Sequence, residues 1–275
     1  MTRVLLTVEY DGTAYAGWQR QSNAVAVQQV LEEALALACG HPVSAVGSSR
    51  TDAGVHALSQ MVHFDTSCSI PPDKFPFVLN NILPPDIRVH RGIEVPCDFH
   101  ARFLSCGKTY TYRILNSRHG SALKRNTHWH IPVPLDTVPM RLSLPDLLGR
   151  HDFSAFQASG GTAKTTWRVM DKAELIMGGP DESSSSETIT LRVSGNAFLY
   201  NMVRIIAGTL VEIGLGKRSP DAFRRAFESL NRLDLGMTAP PHGLELTEVR
   251  YPPAAFTDPA SIRWHKDDCQ SDENP

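Results

Sequence analysis

The sequence lacks the features of a secreted, membrane-spanning or zinc-binding chain. Its five cysteines are odd in number and form no C-x-x-C pair, which argues against a disulfide framework or a zinc ribbon. No run reaches the ~18 uncharged apolar residues of a membrane span, because the most apolar stretch, 198–213, contains Arg204 and Glu212. The N-terminus reaches Glu9 after too few apolar residues for a signal-peptide core. We therefore expect a cytoplasmic protein with reduced thiols and no bound metal.

Acidic residues are absent from one long segment, although the whole chain has a net charge of -2. Residues 252–275 hold five acids against two cations, so the rest of the chain has a small positive excess. Residues 99–135 contain no Asp or Glu and form a basic stripe with interleaved aromatic residues: Arg102, Lys108, Arg113, Arg118, Lys124 and Arg125, with Tyr110, Tyr112 and Trp129. A nucleic-acid backbone with stacked bases would bind such a stripe. On charge alone, a solvated basic face is the alternative.

Hydrophobic periodicity predicts a mixed α+β fold. Apolar residues alternate in the segments that we predict as strands, and they recur at three- and four-residue steps in those that we predict as helices. The strands are predicted at 4–10, 43–49, 60–65, 87–95, 109–115, 128–131, 167–176 and 188–193, and the helices at 27–38, 73–83, 138–148, 198–213 and 221–230.

The order of these elements indicates two parts and a tail. We place a boundary near residue 105, which gives an N-terminal half (1–105) and a C-terminal half (106–251). The glycine- and serine-rich segment 178–186 is predicted to be an exposed loop without function. Residues 252–275 show little apolar periodicity and are predicted to be a disordered acidic tail.

A short loop between two predicted strands, from Gly47 to Ala57, combines a cation, a carboxylate and glycines. Such a loop can aim Asp52 at a substrate, with Gly54 allowing close approach of a ligand or backbone. The alternative is an ordinary turn in which Thr51 or Asp52 caps a neighbouring amide. The loop alone leaves both interpretations open.

Arg204 is the one charged residue in the apolar run 202–207 of a predicted helix. A buried guanidinium without a carboxylate partner costs several kcal/mol, so the helix predicts an acid opposite Arg204, and Asp52 is the natural candidate. The alternative is that Arg204 extends to solvent. Pairing would keep Asp52 ionised, and an ionised, partly buried aspartate can act as a nucleophile or a base.

Seven short motifs, in order between about Val4 and Tyr251, carry a family resemblance. They are Tyr10-Asp-Gly-Thr-Ala-Tyr-Ala-Gly-Trp-Gln19, Arg50-Thr-Asp-Ala-Gly-Val-His-Ala57, Asp98-Phe-His-Ala-Arg102, Lys108-Thr-Tyr-Thr-Tyr112, His151-Asp-Phe-Ser-Ala-Phe156, Asn196-Ala-Phe-Leu199 with Met202-Val-Arg204, and Thr238-Ala-Pro240 with Gly243-Leu244. Their order and spacing resemble the TruA family of tRNA pseudouridine synthases. Residues 252–275 lie beyond the resemblance.

The resemblance implies an isomerase that converts uridine to pseudouridine in the anticodon stem-loop of tRNA, without a metal or an organic cofactor. It implies the pseudouridine synthase fold: two related ferredoxin-like halves about a central, largely antiparallel sheet, with Asp52 at the floor of a basic cleft. It also implies a homodimer. The basic stripe would then supply phosphate contacts, and we expect Lys124 and Arg125 to bind tRNA.

The resemblance also assigns roles to single residues. Asp52 matches the essential catalytic aspartate, and whether it attacks the sugar, attacks the base or removes a sugar proton stays open. Tyr110 matches the tyrosine that stacks on the target base, and Arg204 matches the arginine that pairs with the catalytic carboxylate. Arg50 matches the arginine that fills the space left by a flipped nucleotide, since a base must be extruded before chemistry.

Two residues depart from the family pattern. Ser49 stands where the family usually has glycine, which restricts the backbone if that position needs a positive φ. Ala26 stands near the start of the first helix where a serine is usual, and the loss of a serine N-cap costs ~1 kcal/mol.

Two other classes of protein remain as alternatives. A noncatalytic RNA-binding module would share the basic stripe, but its most common sheet signature, an RNP1-like run, is absent, and it would not need Asp52 opposite Arg204. A small-molecule hydrolase with an aspartate nucleophile would need a glycine-rich phosphate loop, a metal or a second placed acid, and the sequence has none of these.

Overall fold

The computed structural model describes residues 1–178 and 187–262, which form ten strands and five α-helices. The strands are β1 (Thr2–Tyr10), β2 (Ala45–Gly47), β3 (His56–Thr66), β4 (Ile87–Val95), β5 (Gly107–Asn116), β6 (Trp129–Ile131), β7 (Gly149–Asp152), β8 (Trp167–Met177), β9 (Glu187–Gly195) and β10 (Leu244–Arg250). The helices are α1 (Val27–Cys39), α2 (Phe75–Asn80), α3 (Thr137–Ser143), α4 (Met202–Gly214) and α5 (Ala222–Ser229). Apart from Gly178, the predicted loop 178–186 lies outside the described residues.

The chain divides into two compact units close to the predicted boundary. Among the described residues, the first unit joins Met1–Lys108 to 245–262, and the second comprises 109–178 and 187–244. The last strand therefore belongs with the N-terminal part, whereas the sequence placed it in the C-terminal half. It does so because β10 pairs in parallel with β3, through Glu245 opposite His56. A pairing over this sequence distance leaves no local periodicity to detect.

The first unit is built on a mostly antiparallel sheet in the order β4-β1-β3-β10, with β2 also pairing with β3. One face carries Val4 and its cross-strand partner Phe64, whose ring packs edge-on against Phe75 of α2 at 5.2 Å. The opposite face carries Leu5, which packs with Val95 and other residues of a second apolar cluster. Both faces of β1 are therefore buried, which fits the continuous apolar run Val4-Leu5-Leu6 within this strand.

Helix α1 ends as the sequence predicts, at Gly40 with a left-handed φ of 73°. Its first residue follows Ala26, which makes no side-chain capping bond. Two amides at this end donate instead to backbone carbonyls: Val27 N to Gly17 O at 3.1 Å and Gln28 N to Trp18 O at 3.0 Å. These bonds satisfy donors that a serine cap would serve, so alanine costs less here than the sequence indicated.

Residues 252–262 correct the prediction of a disordered tail. They form two 3-10 turns, Pro253–Phe256 and Pro259–Ser261, and the side chains of Ala255 and Pro259 are buried. Proline at the start of each turn has a suitable φ and has no amide hydrogen to lose. The few apolar residues of this segment lie at irregular spacings, so they give no periodic signal. The remaining residues of the predicted tail, 263–275, lie outside the described part.

The second unit has the strand order β5-β9-β8-β7, with β6 parallel to β5. Strands β8 and β9 form the predicted antiparallel hairpin. Helix α4 begins at Met202 rather than at 198, because Asn201 has a left-handed φ of 61°. Within residues 1–178 and 187–262, even this apolar helix and its neighbours are too short or too polar to span a membrane.

Candidate active site

The Asp52 loop, residues 48–55, joins β2 to β3 inside the first unit. Ser49 and Thr51 are buried, Asp52 is half-buried and Arg50 is exposed. The left-handed residue of the loop is Gly54, with a φ of 77°. Ser49 has no positive φ, so a serine at this position fits without backbone strain.

The first motif of the chain folds directly against this loop. A Cβ at Gly12 would lie 2.0 Å from the carbonyl oxygen of Val55, and one at Gly17, whose φ is 90°, would lie 2.3 Å from that of Thr51. Trp18 N also donates to Thr51 O at 3.1 Å. Only glycine allows this backbone approach at either position. The motifs at 10–19 and 50–57 therefore form one packed structure.

Side chains fix both ends of the loop. The hydroxyl groups of Tyr10 and Thr51 form a buried hydrogen bond of 2.8 Å. The Thr51 side chain thus forms a long-range hydrogen bond, whereas the interpretation as an ordinary turn expected Thr51 or Asp52 to cap a neighbouring amide. This bond ties the residue before Asp52 to the end of β1.

Gln60 holds the other end of the loop, a role that the motifs and periodicity of the sequence do not indicate. Its side chain is fully buried on β3. Its amide nitrogen donates to Ser49 O at 2.7 Å, and its oxygen accepts from Ser49 N at 3.2 Å and from Ser48 Oγ at 2.8 Å. The available signal was a glutamine at the start of a predicted strand, directly before Met61 and Val62, since a buried amide must find partners.

Arg204 lies on α4 in the second unit and is half-buried. Its Nε donates to Ala239 O and its Nη1 to Asn201 Oδ1, both at 2.7 Å. Asn201, a residue type that tolerates left-handed backbone, thereby orients the guanidinium from the start of the helix. Neutral acceptors of the same unit satisfy these two donors. The pairing of Arg204 with Asp52 stays a prediction.

Two tyrosines of β5 lie among the remaining motifs of the second unit. Tyr110 is buried, and its ring packs edge-on against Phe198 at 5.0 Å. Tyr112 donates its hydroxyl to Pro240 O at 2.8 Å, and a Cβ at Gly243 would lie 2.6 Å from its ring. Burial raises the pKa of Tyr112, against a smaller lowering effect of the Arg204 charge. The motifs around 110, 198, 204 and 240 therefore meet in one place.

Lys124 and Arg125 lie in a turn of the second unit. Lys124 Nζ reaches Thr188 Oγ1 at 3.4 Å, and Arg125 is exposed. Burial, with added repulsion from the Lys124 and Arg113 charges, lowers the pKa of His128 to about 4. The field at this turn is therefore positive. Among the described residues, no three His, Cys, Asp or Glu side chains come together as a metal site.

Comparison with known proteins identifies the family. A sequence model of the family described as tRNA pseudouridine synthase matches residues 6–104 and 145–252. The chain belongs to this family, whose members are isomerases that convert uridine to pseudouridine in tRNA. The resemblance stated from the motifs is confirmed.

The relatives are full-length matches. The tRNA pseudouridine synthase A of Ruminiclostridium cellulolyticum is 45% identical over 251 residues, which is 91% of this chain and the whole of the relative. The protein of the same name from Acetivibrio thermocellus gives the same identity and coverage. That of Syntrophotalea carbinolica is 45% identical over 253 residues, 92% of this chain and 98% of the relative.

Proposed function

We propose that the chain isomerises uridine in the anticodon stem-loop of tRNA, with Asp52 as the catalytic residue. The observation that carries this proposal is the construction of the Asp52 loop. A half-buried carboxylate lies between an exposed arginine and a left-handed glycine, and the flanking residues Ser49 and Thr51 are held by long-range bonds to Gln60 and Tyr10. Rigid support of this kind is typical of a group that must be held in a reactive geometry.

The reaction needs no redox carrier. The N-glycosidic bond breaks, the uracil rotates, and a ring carbon of the base bonds to the same sugar carbon. That ring carbon loses a proton, and the ring nitrogen released from the sugar gains one, so the atoms of substrate and product are the same. Asp52 acts on the sugar or the base as nucleophile or base. Tyr110 stacks on the target base, Arg204 pairs with the catalytic carboxylate, and Arg50 fills the space left by the flipped nucleotide.

Binding of the tRNA backbone is assigned to the basic stripe. The positive field at His128 and the exposure of Arg125 support phosphate contacts by Lys124 and Arg125. The proposal also includes a homodimer and two related ferredoxin-like halves with a basic cleft. Sedimentation at several protein concentrations would test the dimer.

Asp52→Asn tests the catalytic assignment. The change preserves the shape of the side chain and removes its charge and its reactivity, so pseudouridine formation on an unmodified tRNA transcript should stop. Phosphate contacts elsewhere should keep the tRNA affinity within a few-fold of the parent. Asp73→Asn, a change at an exposed carboxylate of the same unit, is the matched control.

The outcomes separate the alternatives. An Asp52→Asn protein that still modifies tRNA at near the parent rate refutes the assigned role. A parent protein that binds tRNA but forms no pseudouridine in any transcript favours the noncatalytic RNA-binding module. Loss of both binding and turnover in a folded Asp52→Asn protein favours a role for the loop in positioning RNA.

A further inference from the structure

A C-terminal strap, residues 253–262, begins where the family match ends. The match stops at residue 252, yet the strap is part of the core of the first unit. Its internal bonds form the two 3-10 turns, for example Thr257 N to Ala254 O at 3.2 Å and Ile262 N to Pro259 O at 3.1 Å. Its contacts with the rest of the unit are apolar and come from Ala255, Phe256 and Ile262. They reach Leu5 and Val95 of the sheet and, at Phe99, one functional motif.

That motif is the Arg102 turn, residues 98–105, whose backbone is held by two histidines. The backbone amides of Arg102 and Phe103 donate to Nδ1 of His100, each at 3.2 Å. The amide of Ala101 donates to Nδ1 of His63 at 3.1 Å. Because these nitrogens accept hydrogen bonds, both rings are neutral, and burial lowers both pKa values, that of His63 to about 4. Three backbone amides of the turn are therefore held by neutral histidine rings.

Tyr251 connects the strap to this turn and to the Asp52 loop. Its hydroxyl donates to Ala101 O at 2.5 Å. Burial raises the pKa of this phenol, and hydrogen bonding with Ser48 opposes that rise. Ser48 in turn donates to Gln60, which holds the Asp52 loop. The two functional segments of the first unit thus meet at the residue from which the strap departs.

A row of rings runs from the strap to the guanidinium of Arg102. The Phe256 ring stacks on the fully buried Phe99 ring at 5.7 Å, and Phe99 contacts the His63 ring at 6.4 Å. The row continues from His63 to His100 at 4.9 Å and from His100 to Phe103 at 4.1 Å, and the Arg102 Cζ lies 5.9 Å from the Phe103 ring. Phe256 is the outermost member of this row and is 39% exposed, so its loss uncovers one face of the buried Phe99 ring.

We propose that the C-terminal strap is a positioning element that holds the Arg102 turn, through Phe256 and Phe99, in the conformation that binds a tRNA phosphate. This inference rests on the proposed function in one respect, that the basic stripe binds tRNA. It adds a segment outside the family match to the substrate-binding machinery. Phe256 touches no substrate in this scheme, and Arg102 makes the contact.

Phe256→Ala in the full chain is the test, with the exposed Phe77→Ala as the matched control. Loss of one phosphate contact should raise KM for tRNA, leave kcat at saturating tRNA unchanged, and flatten the slope of log affinity against log salt by ~0.7 to 0.9. Phe256→Tyr should restore the parent values. In an Arg102→Gln background, Phe256→Ala should have no further effect on binding, because the contact is already gone.

Truncations complete the design. A chain ending at Ile262 should match the parent, whereas one ending at Pro252 should show the Phe256→Ala defect or a larger one. If the shorter chain fails to fold, the Phe256→Ala protein, checked by circular dichroism, decides the question.

Three results would overturn the strap proposal: a parental KM and salt slope in Phe256→Ala, a lower kcat with unchanged KM, or additive effects of Phe256→Ala and Arg102→Gln. An unchanged affinity in Arg102→Gln would also overturn it. A parent protein that makes no pseudouridine refutes the proposed function instead. The tRNA-binding measurements on Phe256→Ala and Arg102→Gln would then still test whether the strap positions the Arg102 turn.

Discussion

Replacing Gln60 with leucine should damage the Asp52 loop more than any other single change on β3. Leucine has a similar size but cannot bond to the buried backbone of Ser49 or to the hydroxyl of Ser48. A buried polar group that loses its partner costs ~1 to 3 kcal/mol. Ser48 can also hydrogen-bond with Tyr251, so the loss of its bond to Gln60 should cost the least free energy of the three. The sum is about 3 to 5 kcal/mol, a large part of the ~5 to 15 kcal/mol by which a domain is stable.

Urea unfolding at equilibrium measures this loss, with Gln29→Leu on α1 as the control because its amide donates to the exposed Glu33 at 2.9 Å. The control should change the free energy of unfolding by less than ~0.5 kcal/mol. At a temperature where the Gln60→Leu protein is still folded, the rate of pseudouridine formation should fall, because the backbone of Ser49 has lost its hydrogen bonds to Gln60. A loss below 1 kcal/mol, with unchanged turnover, would show that the loop does not depend on Gln60.

Two further predictions concern charge. Lys124→Gln combined with Arg125→Gln should flatten the slope of log affinity for tRNA against log salt by ~0.7 to 0.9 per lost contact. The control, Lys217→Gln combined with Arg141→Gln, removes two exposed charges outside the stripe and should leave this slope unchanged. Equal slopes for the two double variants would show that the stripe is a solvated face. The free energy of unfolding should fall as the pH drops from 6.5 towards about 4. In this window the unfolded chain binds a proton at His63, whereas the folded protein does not, because His63 is buried and lies near His100 and Arg3. His63→Gln should reduce this pH slope, and an unchanged slope would locate the titration elsewhere.

Local elements followed from the sequence because their signal lies within a few residues. The spacing of Val27, Leu31 and Leu35 predicted α1, and Gly40 predicted its end, since a helix needs a residue with positive φ there. The β8–β9 hairpin was predicted in the same way. The start of α4 was placed four residues too early, because residues 198–200 are also apolar. The left-handed Asn201 keeps the helix from beginning before Met202.

Long-range features could not be predicted in this way. The motifs identified Asp52, but nothing local indicated that Gln60 would hold the loop or that β10 would pair with β3. The residues 252–262 looked disordered because Ala255 and Pro259 contribute to the core without any period. In each case the deciding contact joins segments that are far apart in the chain.

The return of the chain to the first unit sets an order of events during synthesis. Residues 1–108 leave the ribosome first, but β3 gains its parallel neighbour and Phe99 gains its cover only when residues 245–262 follow, after the entire second unit. Contacts of such sequence separation form slowly, and the second unit has the opportunity to fold while the first waits. A partly made chain therefore has no finished first unit, so neither the Asp52 loop nor the Arg102 turn has its full support until residues 245–262 have been made.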